Sequence, residues 1–310
     1  MGRASEKVQP GMSIRSVPEA VRKHAVAGGH QGWLEQLPAL VAELEREWSI
    51  TVGRSYDGGN EAFVADASLS DGSGAVLKVL IPRDDGSARN EITVLRLADG
   101  DGCARLLRFD LSRGAMLIER LGARLGESGL PAPRRREILC AAAERLWRLV
   151  PDSPLPTGAE KGRWLIGFIT RTWEQLDRPC SKEAVAYAVD SAERRIAAHD
   201  DASSVLVHGD IHEWNALKAD HGYKLIDPDG LLAEPEYDLG VIMRQDPIDP
   251  ADPPASARGL AHRTGLDETA TWEWAAVERL SSGLWCTRLE LQPLGRDLLR
   301  TADAVAQLGI

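Results

Sequence analysis

Three polar residues in the C-terminal half of the chain, Asp210, Asn215 and Asp227, have the types and spacing that phosphoryl transfer requires. Asn215 follows Asp210 by five residues, and Asp227 follows Asn215 by twelve. In that chemistry one carboxylate orients an attacking hydroxyl group and accepts its proton, while an amide and a second carboxylate hold Mg²⁺ against the phosphates of a nucleotide. The order of the three residues therefore predicts a phosphoryl-transfer site.

Short apolar segments precede both acidic residues and are predicted to be buried strands. Residues 205–207 lead into the loop with Asp210, and residues 224–226 lead directly into Asp227. Strand ends are rigid, so they can hold polar side chains in a fixed geometry. Polar residues at ordinary strand-end turns are the alternative explanation, but an ordered set of three is hard to assemble by chance.

Lys78 lies inside the apolar segment 75–81, which is predicted to be the strongest strand of the N-terminal half. A lysine buried in a strand is unfavourable unless a charge pairs with it, and Glu91 on a predicted helix at residues 88–98 is available. Such a lysine–glutamate pair grips nucleotide phosphates in kinases. In isolation, a surface lysine would be the usual interpretation. The functional interpretation of Lys78 is favoured because Lys78 precedes Asp210, Asn215 and Asp227 in the order that a kinase requires.

Composition and charge limit the classes of function. The chain has 310 residues, of which 43% are hydrophobic, so a globular protein with a large core and two lobes is predicted. Its net charge of -10 argues against nucleic-acid binding, which would need a basic surface. That charge would favour a cationic substrate, although solubility alone explains it equally well.

Targeting and membrane signals are not evident in the sequence. The first ten residues contain no apolar signal-peptide region, and no apolar run approaches the roughly 18–20 residues of a spanning helix. We therefore expect a cytoplasmic protein with no membrane or nucleic-acid partner, and both a monomer and a homodimer remain open. The four cysteines lack the Cys-x-x-Cys spacing of a zinc site, so reduced thiols are expected.

Hydrophobic periodicity divides the chain into three predicted regions. Residues 1–32 form a loosely ordered extension with room for one short helix, residues 33–118 a β-rich lobe, and residues 119–310 a mainly helical lobe. The predicted strands of the smaller lobe lie within residues 50–82, 105–109 and 115–119, and its helices at 33–47 and 88–98. The predicted helices of the larger lobe lie at residues 133–150, 162–178, 181–199, 234–244, 268–286 and 293–308. Repeated X-Pro pairs predict a loop at residues 244–254.

These motifs together resemble the aminoglycoside phosphotransferase family, which has a protein-kinase-like fold. The segments that carry the resemblance are residues 75–78, Glu91, residues 208–215, residues 226–230 and residues 234–240. The resemblance covers nearly the whole chain from about Trp33. Within that family the chain looks like the streptomycin 6-kinases and hydroxyurea phosphotransferases, because of its Ile-Asp-Pro at 226–228 and the segment 95–107. It implies an α+β, bilobal fold with a small β-rich lobe and a larger α-rich lobe.

The resemblance also implies a role for each motif residue. Asp210 would be the catalytic base, and Asn215 and Asp227 would hold Mg²⁺. Lys78 would contact the ATP phosphates, with Glu91 orienting its amine. These roles are carried over from the family residue by residue, onto positions whose residue types match.

Two backbone segments have implied nucleotide-binding roles. The hinge at residues 117–121, with Glu119 and Leu121, would hydrogen-bond the adenine base. The turn at residues 55–60 would cover the phosphates, although it lacks the Gly-x-Gly-x-x-Gly pattern of protein kinases. The residues that cradle the phosphates are therefore less defined than residues 208–215, which the resemblance implies are the catalytic loop.

The implied activity is ATP-dependent phosphorylation of a small-molecule hydroxyl group, with ATP (GTP also being possible) and Mg²⁺ as cofactors. An aminoglycoside such as streptomycin is the expected acceptor, which would make the chain an antibiotic-inactivating enzyme. The alternatives are a kinase of another metabolite, such as hydroxyurea, a sugar or an amino alcohol, and a nucleotide-binding pseudokinase that acts as a regulator. The pseudokinase is disfavoured because all the motif residues are present, and a protein kinase because Asp-Phe-Gly and Ala-Pro-Glu are missing.

Several neighbouring residues have structural interpretations beside functional ones. His208 is expected to support the loop, and Asp238 would, by the resemblance, hydrogen-bond the loop backbone. Asp229 could bind a second metal or a cationic substrate, but an aspartate that stabilises a turn is as good an explanation. Core packing is the main expectation for three tryptophans, one of which could face the acceptor: Trp272, Trp274 and Trp285.

Overall fold

The computed structural model describes residues 17–57, 59, 61–83 and 85–308, which form two compact units. The smaller unit contains the described residues up to Ile92 together with Arg105–Arg120, and the larger unit contains Thr93–Ala104 and the described residues from Leu121 onward. This grouping departs from the predicted single division after residue 118, because residues 93–104 pack with the later elements. The predicted α+β class with a β-rich smaller part and an α-rich larger part is confirmed.

The smaller unit contains an antiparallel five-stranded sheet in the order β1-β2-β3-β5-β4. Its elements are α1 (Glu19–Ala27), α2 (Gln31–Trp48), β1 (Ile50–Ser55), β2 (Ala62–Leu69), β3 (Gly74–Leu80), the start of α3 (Ser87–Ala98), β4 (Leu106–Asp110) and β5 (Ala115–Glu119). The turn between β2 and β3 forms because the Asp71 side chain accepts hydrogen bonds from the backbone and hydroxyl of Ser73.

The core of the smaller unit forms between α2 and one face of the sheet. Leu37 and Leu44 of the amphipathic helix are fully buried against Phe63 and Leu77 of the strands. Helix α1 is the short helix that was expected within the N-terminal extension. It buries Val21 beside the end of the sheet. Part of the predicted extension is therefore packed on this unit, while residues 1–16 lie outside the described residues.

The larger unit is mainly helical. Its elements are α4 (Ala132–Ala143), α5 (Gly158–Gln175), α6 (Lys182–Ala198), β6 (Val205–Val207), β7 (Ala216–Lys218), β8 (Tyr223–Leu225), β9 (Leu231–Ala233), α7 (Glu236–Met243), α8 (Ala255–Thr264), α9 (Glu268–Arg288) and α10 (Leu294–Gln307). A capping box of Thr157 and Glu160 starts α5, and the Asp267 side chain caps α9. The core gathers buried side chains of α5, α6, α7, α9 and α10.

Four elements of the larger unit differ from prediction. Helix α4 ends at Ala143 instead of residue 150, and α8 was not predicted, because it buries few large apolar residues and starts after repeated prolines. Strands β7 and β9 were also missed, since three-residue strands are too short for periodicity to reveal. Within the described ranges, no helix combines the length and the apolar character that crossing a membrane requires.

Candidate active site

Two short antiparallel strand pairs in the larger unit position the loop with Asp210. Strand β6 pairs with β9, and β7 pairs with β8 in a hairpin. Gly209, between β6 and Asp210, has a φ of 88°, and a Cβ atom there would lie 3.0 Å from Cβ of Asp229. A glycine is therefore required at this turn, because a side chain would be strained and crowded.

Asp238 on α7 holds the backbone of this loop. Its carboxylate accepts hydrogen bonds from the backbone N–H groups of His208 at 3.1 Å and Gly209 at 2.9 Å, and from Trp147 Nε1 at 2.9 Å. Burial raises the pKa of Asp238, although these donors and His208 act against that rise. Asp238 thus performs the structural task that the family resemblance implied.

His208 connects the loop to the segment that ends in Asp227. Its Nδ1 accepts a hydrogen bond from the Asp210 backbone N–H at 3.2 Å, and its Nε2 lies 3.0 Å from the Ile226 carbonyl oxygen. The tautomer that satisfies both contacts carries its proton on Nε2. Burial lowers the pKa of His208, which favours this neutral form. The expected supporting role of His208 is therefore confirmed.

The Asp210 carboxylate is one-third exposed and has three side-chain partners. Arg244 Nη2 donates to Oδ1 at 2.8 Å, and Asn215 Nδ2 at 3.2 Å and His212 Nε2 at 3.3 Å contact Oδ2. Burial opposes ionisation, but the charge of Arg244 and the contacts from His212 and Arg244 hold the pKa of Asp210 well below its usual value. Asp210 is therefore an ionised carboxylate with a fixed orientation.

Arg244 was not identified from the sequence, where it fell at the start of a proline-rich loop. In the structure it follows the last residue of α7, and its side chain is only 12% exposed. Arg279 of α9 fixes this turn, because its guanidinium donates to the carbonyl oxygens of Arg244 at 2.9 Å and of Met243 and Asp246 at 3.2 Å. Burial lowers the pKa of Arg279 to about 10. No local sequence pattern reveals either arginine, since their partners are distant in the chain.

The β7–β8 hairpin brings Asn215 and Asp227 to neighbouring chain segments. The Ile226 N–H donates to the Asn215 carbonyl oxygen at 2.9 Å, so Asp227 lies one residue beyond this pairing. Asp227 has a φ of 58°, a left-handed conformation that is unusual for a residue other than glycine. Both side-chain hydrogen bonds of Asn215 within the described residues use its amide nitrogen. Asn215 carries an amide oxygen and Asp227 a carboxylate, which are the hard oxygen ligands that Mg²⁺ prefers, so the residue types of the pair fit this ion.

Lys78 and Glu91 form the predicted pair in the smaller unit. Lys78 Nζ lies 2.6 Å from Glu91 Oε1, and both side chains are more than nine-tenths buried. Strand β3 is paired on both sides, so the position of Lys78 is well defined. A buried amine in a hydrogen-bonded ion pair can be held ready for an anionic ligand.

The predicted adenine-binding segment lies at the end of β5. The Glu119 backbone N–H donates to the Arg105 carbonyl oxygen at 2.9 Å, and the Glu119 side chain accepts from the Arg105 N–H at 2.7 Å. The role of Glu119 and Leu121 in binding a base stays a prediction. In the predicted phosphate-covering turn, residues 58 and 60 lie outside the described residues.

Asp229 and the three tryptophans differ in burial and in their contacts. Asp229 Oδ2 lies 3.1 Å from Lys161 Nζ, a partner on α5 that sequence reasoning did not suggest. Trp272 and Trp274 are buried in the core, whereas Trp285 is 39% exposed. Trp285 is thus the one of these three tryptophans that can contact a ligand.

Comparison with known proteins agrees with this geometry. Residues 48–288 match the model of the aminoglycoside/hydroxyurea antibiotic resistance kinase family. The chain belongs to this family. It is a phosphotransferase that acts on a hydroxyl group of a small molecule, and a nucleotide is the phosphoryl donor expected of this kinase family. The family resemblance inferred from the motifs is therefore confirmed.

Individual relatives share most of the chain. A streptomycin 6-kinase of Streptomyces glaucescens is 30% identical over 290 residues, which cover 87% of this chain and 90% of the relative. A hydroxyurea phosphotransferase of Kitasatospora aureofaciens is 30% identical over 246 residues, covering 74% of this chain and 68% of the relative. The crystal structure of LicA, a choline kinase of Streptococcus pneumoniae, in complex with AMP has a TM-score of 0.58 at 15% identity, covering 87% of this chain and 97% of LicA. This last similarity concerns the fold.

Proposed function

We propose that this protein transfers the γ-phosphoryl group of ATP to a hydroxyl group of an aminoglycoside, with streptomycin as the first candidate acceptor. The observation that carries the proposal is the Asp210 carboxylate, which Arg244 holds ionised at 2.8 Å beside the amide of Asn215. The 30% identity to a streptomycin 6-kinase over most of the chain supports the choice of acceptor.

Asp210 orients the acceptor hydroxyl and accepts its proton. The attacking oxygen forms a bond to the γ-phosphorus while the bond to the leaving ADP oxygen breaks, and the hydroxyl proton passes to the Asp210 carboxylate. Because the pKa of Asp210 is held low, it is a weak base. The proton is therefore transferred late, when the oxygen has already lost electron density to phosphorus.

Arg244 is a positioning residue in this mechanism. Its guanidinium keeps the Asp210 carboxylate ionised and limits its rotation, since one Oδ atom is bonded to Arg244 and the other contacts Asn215 and His212. Positioning and charge neutralisation account for most of the rate enhancement in phosphoryl transfer, because the protein forms no covalent bond to the substrate.

Asn215 and Asp227 would hold Mg²⁺, and Lys78 would bind ATP phosphates. When bound, the ion neutralises charge on the phosphate oxygens. Within the described ranges, no cluster of three or more His, Cys, Asp or Glu side chains is placed to hold a metal alone. The remaining ligands would therefore come from phosphate and water, as Mg²⁺ commonly requires. Glu91 would keep the Lys78 amine charged and directed at the phosphates.

Hydroxyurea is the second candidate acceptor, because a hydroxyurea phosphotransferase is also 30% identical to the chain. A panel of streptomycin, other aminoglycosides, hydroxyurea and simple sugars tests the proposal, with ATP and GTP as donors and Asp210→Ala as the control. We expect ADP release with streptomycin and a phosphorylated product by mass spectrometry. Tight ATP binding without turnover on any acceptor would contradict the proposal and favour a binding-only protein.

A further inference from the structure

Three aromatic side chains form a partly exposed surface on α5 and α9 of the larger unit. Trp164 is 55% exposed and Trp285 is 39% exposed. Phe168 lies between them, stacked on Trp164 at 5.3 Å between ring centroids and 6.1 Å from the Trp285 ring. Single exposed apolar residues are common, but two exposed tryptophans joined through the buried Phe168 ring form a larger aromatic patch, a feature that marks binding surfaces. We call Trp164, Phe168 and Trp285 the aromatic face.

One end of the aromatic face lies beside the catalytic loop. Lys161, on the preceding turn of α5, places its amine 5.0 Å from the centroid of the Trp164 ring. The same amine lies 3.1 Å from the Asp229 carboxylate. Asp229 is packed against Gly209, the residue that precedes Asp210. Contacts therefore run without a gap from the catalytic loop to Trp164.

Helix α9, like α5, carries a charged residue seven positions before an aromatic residue of the aromatic face. Its buried Glu278 is hydrogen-bonded to Tyr237 and lies seven residues before Trp285, just as Lys161 lies seven residues before Phe168. Gly162 near the start of α5 lies beside the Trp274 ring of α9, and the later Phe168 and Trp285 rings contact each other, so the two helices run side by side in the same direction. Seven helical residues span about 10 Å. The aromatic face therefore extends about 10 Å away from the charged residues at the catalytic loop.

We propose that the aromatic face binds the part of the acceptor that is remote from the reacting hydroxyl, so that the acceptor is a multi-ring molecule. This inference rests on the proposed function. Tryptophan rings bind both the apolar faces of rings and cationic groups, and Lys161 already places an ammonium group against Trp164. The net charge of -10 also favours a cationic acceptor.

Hydroxyurea does not meet this requirement. It is a short molecule that can contact Asp210, but it is too small also to reach Trp285, which lies about 10 Å along α9 from Glu278. The two candidate acceptors therefore predict different consequences when the aromatic face is altered.

Steady-state kinetics of Trp164→Ala and Trp285→Ala test the proposal. We expect the KM for streptomycin to rise roughly tenfold in each variant, because each loses a ring contact of this kind. The kcat and the KM for ATP should stay near wild type, since the ring contacts of the two tryptophans are with Phe168 and Lys161. Trp164→Phe and Trp285→Phe should recover most of the affinity. Leu149→Ala, at an apolar side chain that is 63% exposed elsewhere, is the matched control and should change nothing.

The outcomes separate this inference from the proposed function. Transfer to streptomycin with an unchanged KM in both alanine variants would overturn the inference and leave the function intact. Transfer to hydroxyurea but to no multi-ring acceptor would overturn the inference as well. No transfer to any acceptor would contradict the proposed function itself. If an alanine variant does not fold, we would instead titrate wild type and the two phenylalanine variants with streptomycin and measure tryptophan fluorescence. An identical signal change in all three proteins would overturn the inference.

Discussion

Replacement of Arg244 by glutamine tests most directly how Arg244 controls the Asp210 carboxylate, the proposed catalytic base. The substitution removes the charge and the 2.8 Å hydrogen bond to Asp210 Oδ1. His212 and Asn215 still contact Oδ2, so the carboxylate keeps two partners and one-third of its surface remains exposed to water. We therefore expect the variant to fold and to bind ATP, while the orientation of Asp210 becomes less defined.

The expected loss of activity follows from the burial of this contact. Arg244 is 12% exposed, so its charge is poorly screened by solvent. Loss of one fixed donor in a catalytic site raises the barrier by about 3 kcal/mol, which corresponds to roughly a hundredfold decrease in kcat. Arg244→Lys keeps the charge but loses the planar geometry, and about a tenfold decrease is expected.

The assay is ADP release under saturating ATP and acceptor, with circular dichroism to confirm the fold. Arg258→Gln is the matched control, because Arg258 forms a 2.8 Å ion pair with Asp252 at the protein surface, where its side chain is 51% exposed. That control should keep wild-type kcat. The double variant Asp210→Ala/Arg244→Gln completes a double-mutant cycle with the two single variants. If Arg244 acts through Asp210, the double variant should be no slower than Asp210→Ala alone.

Two results would refute this reasoning. A kcat within about threefold of wild type in Arg244→Gln would mean that the contact has no catalytic role. Additive losses in the double variant would mean that Arg244 acts on the phosphates or the acceptor independently of Asp210.

Three further outcomes are expected. Asp210→Ala should retain ATP affinity, measured by calorimetry, and lose at least about a thousandfold in kcat; near-normal turnover would contradict its assignment as the base. Gly209→Ala should lower the free energy of unfolding by about 1–2 kcal/mol, because of the positive φ and the contact with Asp229, and an unchanged denaturation midpoint would argue against that strain. Burial raises the pKa of the Cys140 and Cys180 thiols to about 11, so at pH 8 they should be protonated and react slowly with iodoacetamide until the protein unfolds; rapid labelling of the native protein would contradict this.

Features that depend on local chain geometry could be predicted from the sequence. The types and order of Asp210, Asn215 and Asp227 in the sequence predicted one polar site, and the structure places Asn215 and Asp227 on neighbouring chain segments. Lys78 and Glu91 were paired because a buried strand lysine needs a nearby opposite charge, and they form that pair. The helical and β-rich parts were likewise recognisable, because hydrophobic periodicity reports which face of an element is buried.

Elements with weak periodicity were beyond sequence reasoning. Helix α8 buries mainly small residues, and β7 and β9 have three residues each, so their burial patterns are too short or too faint to identify. Their structure is stabilised by tertiary partners instead of local preference. The hairpin that brings Asn215 near Asp227 depends on one of these strands.

The sequence by itself determined the reaction class of this protein, since the types and order of the candidate catalytic residues occur in two short motifs. Only the tertiary structure decided which charges and rings surround them. Arg244 and Lys161 reach the catalytic loop from α7 and α5, and Phe168 meets Trp285 across two helices that are distant in sequence. Such contacts depend on how helices pack, and a single residue in a helix or loop carries no local signal of its distant partner.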